Sequence, residues 1–208
     1  MSSQSVRDKI LDRILEFEPG QPIAYRELKG YGSCSATQRW LKHFCRIGTI
    51  TRVMTGFYVR PKSIASLPNT TITCEPAALA KAWAQEKGYI LTTSDVEELY
   101  RLRFQTQMPV RSQIWTNGPS KTFKIGNASV STKHVPPSKL LWHDIPLGRL
   151  FRALQTLNPN TTNPEKLVRA FKLLGQSESE TRIGLSTLLK EPSLAKWAPV
   201  LQEAIDSI

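Results

Sequence analysis

Carboxylates are missing from two long stretches of this 208-residue chain, and cysteine, histidine and uninterrupted apolar runs are scarce throughout. Cys34, Cys45 and Cys74 have no Cys-x-x-Cys spacing, and His43, His134 and His143 are equally scattered. A disulfide framework or structural zinc site needs more ligands, closer together. No metal and no cofactor are therefore expected, and the thiols read as reduced groups of a cytoplasmic protein. No stretch of about 18 residues is free of both charge and proline, which argues against a membrane-spanning helix. The start, Met-Ser-Ser-Gln-Ser-Val-Arg-Asp-Lys, lacks the apolar core of a secretory signal, so none is expected. There is no glycine-rich phosphate loop, and Gly184-Leu185-Ser186 does not make a nucleophile elbow.

The missing acids also bear on catalysis. A metal-dependent nuclease needs two or three carboxylates converging on a cation. The only dense acids are Asp95, Glu97 and Glu98. Asp95 and Glu98 would share a helix face, but residues 99–143 supply no acid to join them. Acids at a helix start have a plain role in complementing the helix dipole. No catalytic residue is assigned, and the chain is not expected to be an enzyme.

What is present is positive charge, and it is clustered. The chain carries 28 Lys and Arg against 17 Asp and Glu, a net charge of +11. From residue 28 to 74 it holds Lys29, Arg39, Lys42, Arg46, Arg52, Arg60 and Lys62 with no acid. Residues 75–100 reverse sign, and between residues 99 and 152 nine basic side chains face Asp144 alone. Surface helices can be lysine-rich without any function, but two such stretches in one chain favour a polyanionic partner.

Val6, Ile10, Leu11, Ile14, Leu15 and Phe17 recur at helical steps ahead of Pro19-Gly20. Residues 22–28 leave room for a brief extended piece and a helical turn or two. Ser33 or Ser35 can cap a helix running to about Ile47, with Trp40, Leu41, Phe44, Cys45 and Ile47 as its inner stripe. Two short strands follow, Ile50 to Val53 and Phe57 to Arg60, joined by Met54-Thr55-Gly56. Helix, short helix, basic helix, hairpin is the order of a winged helix-turn-helix. In that fold the basic helix enters the major groove, and Arg, Lys and Gln read base edges there. The residues expected to contact DNA are Ser35, Thr37, Gln38, Arg39, Lys42 and Arg46 on the helix and Arg52, Thr55 and Arg60 on or beside the wing. A partner protein packed on this helix is the competing reading.

The expected division is a winged helix-turn-helix domain over residues 1–63 and a mixed α/β domain over residues 75–208, α+β overall. Residues 64–73 read as a linker or a crossing strand. The second domain is expected to begin with a helix over residues 76–87, a strand near 89–91 and a helix over 94–104. A small antiparallel sheet follows over residues 112–116, 121–125 and 128–134, with turn signals at Asn117-Gly118-Pro119-Ser120 and Gly126-Asn127. Helices are expected over residues 147–157, 164–174, 178–190 and 192–208. Arg101, Arg103, Arg111, Lys121, Lys124 and Lys133 would give this half a second basic surface. It could serve as a further DNA or RNA surface, a docking face for a protein, or a remnant of a nucleic-acid-binding fold.

The N-terminal pattern combined with Met108-Pro109-Val110, the run Ile114-Trp115-Thr116-Asn117-Gly118-Pro119-Ser120-Lys121-Thr122-Phe123-Lys124-Ile125-Gly126-Asn127, and Lys133-His134 resembles the AbiEi-like antitoxin family of bacterial type IV toxin–antitoxin and abortive-infection systems. The likeness covers roughly residues 5–155. Its specific part is the Thr116–Lys121 segment, while residues 92–102 are poorer in Ala, Gly and Asn than the family pattern. The resemblance implies an antitoxin in two parts. The winged helix would bind double-stranded DNA at its own promoter and repress the operon, with a homodimer on DNA as one arrangement. The second domain would neutralise a cognate toxin, in known systems nucleotidyltransferase-like. The alternatives are a winged-helix transcriptional regulator with another sensing or defence role and, behind it, a nucleic-acid-processing enzyme.

Overall fold

The computed structural model describes residues 5–64, 67–109 and 113–208. The fold is α+β, with eight α-helices, nine short strands and four 3-10 turns among the described residues. It separates into two compact units, residues 1–89 with 122–130, and residues 90–121 with 131–208.

The first unit opens with α1 (Val6–Leu15), capped where the Ser5 hydroxyl accepts from the Asp8 N–H. Strand β1 (Pro22–Ala24) leads directly into a 3-10 turn, Tyr25–Leu28. The next helix, α2 (Cys34–Arg46), starts where Ser33 Oγ accepts from the Ala36 N–H. That bond satisfies one of the helix's orphan donors. β2 (Thr51–Met54) and β3 (Phe57–Val59) form a hairpin, and β1 adds antiparallel to β3, giving the order β1–β3–β2. Gly56 at the turn has φ +78°, a conformation that an L side chain resists. Ile10 and Ile14 of α1 meet Leu41 and Phe44 of α2, with Ile23, Leu28 and Ile50 closing the cluster. Each is at most 1% exposed, and full burial of such a side chain stabilises by about 1.5–3 kcal/mol.

Beyond the hairpin, β4 (Lys62–Ile64) and β5 (Leu67–Ile72) pair antiparallel, so the linker region is a two-stranded ribbon. Helix α3 (Pro76–Lys87) packs against β1 and buries Leu79, Ala80, Trp83 and Ala84. It belongs to the first unit.

In the second unit the strand expected near residue 90 lies two residues later, as β6 (Leu91–Thr93). Tyr89 is retained by the end of α3 instead: its N–H bonds to Ala84 O, and its ring sits 5.1 Å from that of Trp83. Helix α4 (Asp95–Arg101) stops three residues short of Phe104 because Arg103 turns left-handed at φ +62°.

The four-stranded sheet is mixed, which corrects the expected antiparallel arrangement. β7 (Gln113–Thr116), β8 (Lys121–Ile125) and β9 (Ala128–His134) join β6 in the order β6–β7–β9–β8, and β7 runs parallel to β9. The reason lies in residues 117–120, which carry the chain past the end of β9 instead of folding β8 back on β7. Thr116 Oγ1 accepts from the Gly118 N–H, Ser120 Oγ accepts from the His134 N–H, and Val135 donates to Thr116 O. Thr132 Oγ1 accepts from the Lys121 N–H. The Thr-Asn-Gly-Pro-Ser segment is thus spent on its own turn and on anchoring β9.

The remaining chain is helical: α5 (Pro146–Leu154), α6 (Pro164–Leu173), α7 (Glu178–Leu189) and α8 (Ala198–Asp206). Residues 192–208 do not form one helix. A 3-10 turn occupies Pro192–Trp197, and α8 begins at Ala198. Pro199 has no N–H to donate, so it fits only in a first turn. Leu150, Phe151, Leu154, Leu167, Phe171, Leu185, Leu188, Trp197 and Leu201 fill the core of this half. Gly184 faces Phe171 so closely that a Cβ would lie 2.7 Å from the ring. Among the described residues no helix is long and apolar enough to cross a membrane.

Candidate nucleic-acid interface

Helix α2 has two faces, and its sequence period decides which residues each receives. Thr37, Leu41 and Phe44 point inward and are buried. Ser35, Gln38, Arg39, Lys42 and Arg46 stand on the exposed side. Thr37, 1% exposed, lies on the inward face and cannot present its hydroxyl to a partner, so it leaves the set of contact residues. The exposed side is cationic without compensation: among the described residues none of Arg39, Lys42, Arg46 or Arg52 pairs with a carboxylate. Arg39 lies over the Trp40 ring at 5.6 Å, and Arg46 Nη2 lies 3.1 Å from His43 Nδ1. These contacts steady the guanidinium groups and leave their charge in place.

The hairpin stands beside this helix. Gln38, Lys42 and Cys45 of α2, Tyr25 of the 3-10 turn, and Arg52, Thr55, Gly56 and Tyr58 of the hairpin line one groove of about 580 Å³. A second groove of about 640 Å³ runs along the other flank of α2, between Arg39, Trp40, Lys42, His43, Cys45 and Arg46. Tyr25 Oη lies 3.2 Å from Cys34 Sγ, and that contact, more than burial, holds the phenol above its ordinary pKa. Burial raises the Tyr58 phenol and the Cys45 thiol. These groups stay neutral at physiological pH, so the charge of the groove beside the hairpin comes from Lys42 and Arg52.

Arg60 has a different place. Its Nη1 donates to Leu15 O and Phe17 O at 3.0 and 2.7 Å, capping the carbonyls at the end of α1. The guanidinium therefore ties β3 to α1 instead of extending the groove.

The residues of the expected second basic surface sit in different environments. Arg101 is paired with Glu97 at 3.1 Å. Arg103 is exposed at its left-handed turn, and Lys124 and Lys133 are exposed on β8 and β9. Lys121 is half-buried at the start of β8, and Arg111 lies outside the described residues. Arg149 and Arg152, also in this basic stretch, point into the second unit and pair with Glu98. Among the described residues, the ion pairs to the fully buried Glu98 are thus made by arginines of that basic stretch. Arg149 and Arg152 do lie three residues apart on one helical face, yet nothing in the sequence joins that face to Glu98.

Residues 9–183 match DUF6088, described as a family of unknown function. No curated protein matches the chain. Among solved structures it is similar to the crystal structure of the RV2827C protein from Mycobacterium tuberculosis, at 13% identity and a TM-score of 0.42, over 96% of this chain and 75% of that one.

Proposed function

We propose that this chain, which belongs to the DUF6088 family, binds double-stranded DNA through its first unit, used as a winged helix-turn-helix. Helix α2 enters the major groove and β2–β3 acts as the wing. One observation carries the reading: a helix whose exposed side presents Gln38, Arg39, Lys42 and Arg46, without carboxylate partners among the described residues, beside a hairpin that adds Arg52 and Thr55 to the same groove. Arg and Gln on such a helix can hydrogen-bond guanine and adenine edges, while hairpin residues reach phosphate. The chain acts by binding and not by catalysis.

The resemblance to AbiEi-like antitoxins extends the proposal. The DNA is the promoter of the chain's own operon, bound by two copies on a repeat, and the second domain opposes a toxin encoded alongside. Fluorescence anisotropy with upstream DNA and a scrambled duplex tests the first part. Tighter binding to the upstream sequence is expected, weakening steeply with salt as counterions are released. Equal affinity for both duplexes at physiological salt contradicts base readout by α2. Co-expression with each neighbouring gene product, scored for growth and for promoter activity, tests the second part.

A further inference from the structure

The second unit holds a charge arrangement that DNA binding does not use. Glu98 of α4 is fully buried and serves two arginines of α5. Arg149 Nε donates to its two oxygens at 3.1 and 2.9 Å, and Arg152 Nη2 to Oε1 at 3.5 Å. Thr93 Oγ1 donates to the same Oε1. One carboxylate therefore answers two guanidinium groups. Arg152 is 1% exposed, and its Nε and Nη1 have no hydrogen-bond partner among the described residues. Buried donors without acceptors are costly and rare, and in native proteins they call for an explanation. Burial outweighs Glu98 here and lowers the pKa of Arg152.

Both arginines also line an open pocket of about 490 Å³, together with Thr92 and Thr93 of β6, Arg101 of α4 and His143. Asp144 is the single carboxylate among its lining residues. The volume falls within the range of small-molecule sites. We propose that this pocket binds the phosphate group of a small phosphorylated ligand of about mononucleotide size, with Arg149 and Arg152 at its cationic base and Arg101 and Thr92 at its rim. The planar, forked guanidinium matches the geometry of a phosphate, and a partly desolvated site strengthens that pairing.

The inference is independent of the DNA reading and is tested without DNA. The full chain is titrated calorimetrically with inorganic phosphate and with adenosine monophosphate, with sodium chloride matching the ionic strength, and the thermal midpoint is followed in parallel. Saturable one-to-one binding of either probe, with a raised midpoint, is expected. Displacement of the nucleotide by inorganic phosphate would locate the contact at the phosphate group. Arg101→Gln and Arg149→Gln should each weaken binding at least tenfold. Arg101 is exposed on the rim, so Arg101→Gln carries the test if the Arg149 variant fails to fold. Absence of binding by both probes at about 10 mM beyond the chloride control overturns the proposal, as does unchanged affinity in a folded Arg101→Gln protein.

Discussion

Arg39 and Arg52 carry the same charge but have different reach. Arg39 projects from the middle of α2, where a major-groove helix meets base edges, while Arg52 lies on the hairpin at the rim of the groove. Arg39→Ala is expected to cost about 1–3 kcal/mol of binding and to relax sequence preference. Arg52→Ala should weaken upstream and scrambled duplexes alike, because a phosphate contact carries no sequence information. Anisotropy with both duplexes separates the two outcomes. Inside the second unit the residue-scale balance is different. Glu98→Ala removes the only carboxylate that the buried Arg152 contacts among the described residues. Breaking one side of a buried pair leaves an uncompensated charge, so a loss of roughly 3–5 kcal/mol is expected in denaturant unfolding.

At the scale of elements, α7 illustrates a start signal that works in both directions. Ser177 Oγ accepts from the Glu180 N–H, while the Glu180 carboxylate accepts from the Ser177 N–H at 2.8 Å and from its hydroxyl at 2.7 Å. The backbone N–H of Ser177 is the main cause that holds the Glu180 carboxyl below its ordinary pKa. A depressed folded pKa contributes stability above the unfolded value, near 4.3 for Glu. That contribution is lost as pH falls through the lower folded value. Melting curves between about pH 5 and pH 2.5 should therefore fall less steeply for Glu180→Gln than for the unaltered chain, and parallel curves would remove the capping box from the acid response. Signals of this local kind made much of the fold readable: the period of α1 and α2, the serine caps, and proline at the starts of α3 and α6. What stayed hidden depends on distant contacts or on backbone choices that residue type does not announce. Nothing about Arg103 says that it will turn left-handed and end α4. Turn residues at 117–120 predict a change of direction but not that β9 will insert between β7 and β8. The α2 surface was legible because helical period sorts exposed from buried positions, although Thr37 fell on the inner side of that boundary. Arg60 was misplaced for another reason: its partners are the carbonyls of Leu15 and Phe17, more than forty residues away in sequence.

For the molecule as a whole, the extent of the first unit has consequences for dissection. A fragment of residues 1–74 keeps α1, α2 and the hairpin but loses α3, which packs on β1 and holds the Arg26–Glu86 ion pair at 3.0 Å. Residues 1–89 should melt higher than residues 1–74, because Leu79 and its buried neighbours on α3 add apolar burial worth about 1.5–3 kcal/mol per large side chain. Both fragments should retain salt-sensitive DNA binding. Equal midpoints would show that α3 contributes nothing to this core.

The same unit is discontinuous in sequence, since residues 122–130, covering most of β8 and the start of β9, belong to it and bring Phe123 to 5.3 Å from Trp83. Space is settled by that contact, but so is time. A ribosome that has just added Tyr89 must still add the 32 residues from 90 to 121 before the second piece of this unit begins. At about 5–20 residues per second this takes roughly 2–6 s. During that interval Trp83 stands in the nascent chain without the Phe123 ring, while strands of the other unit are already being made. The first unit is therefore completed only after part of the second has been made.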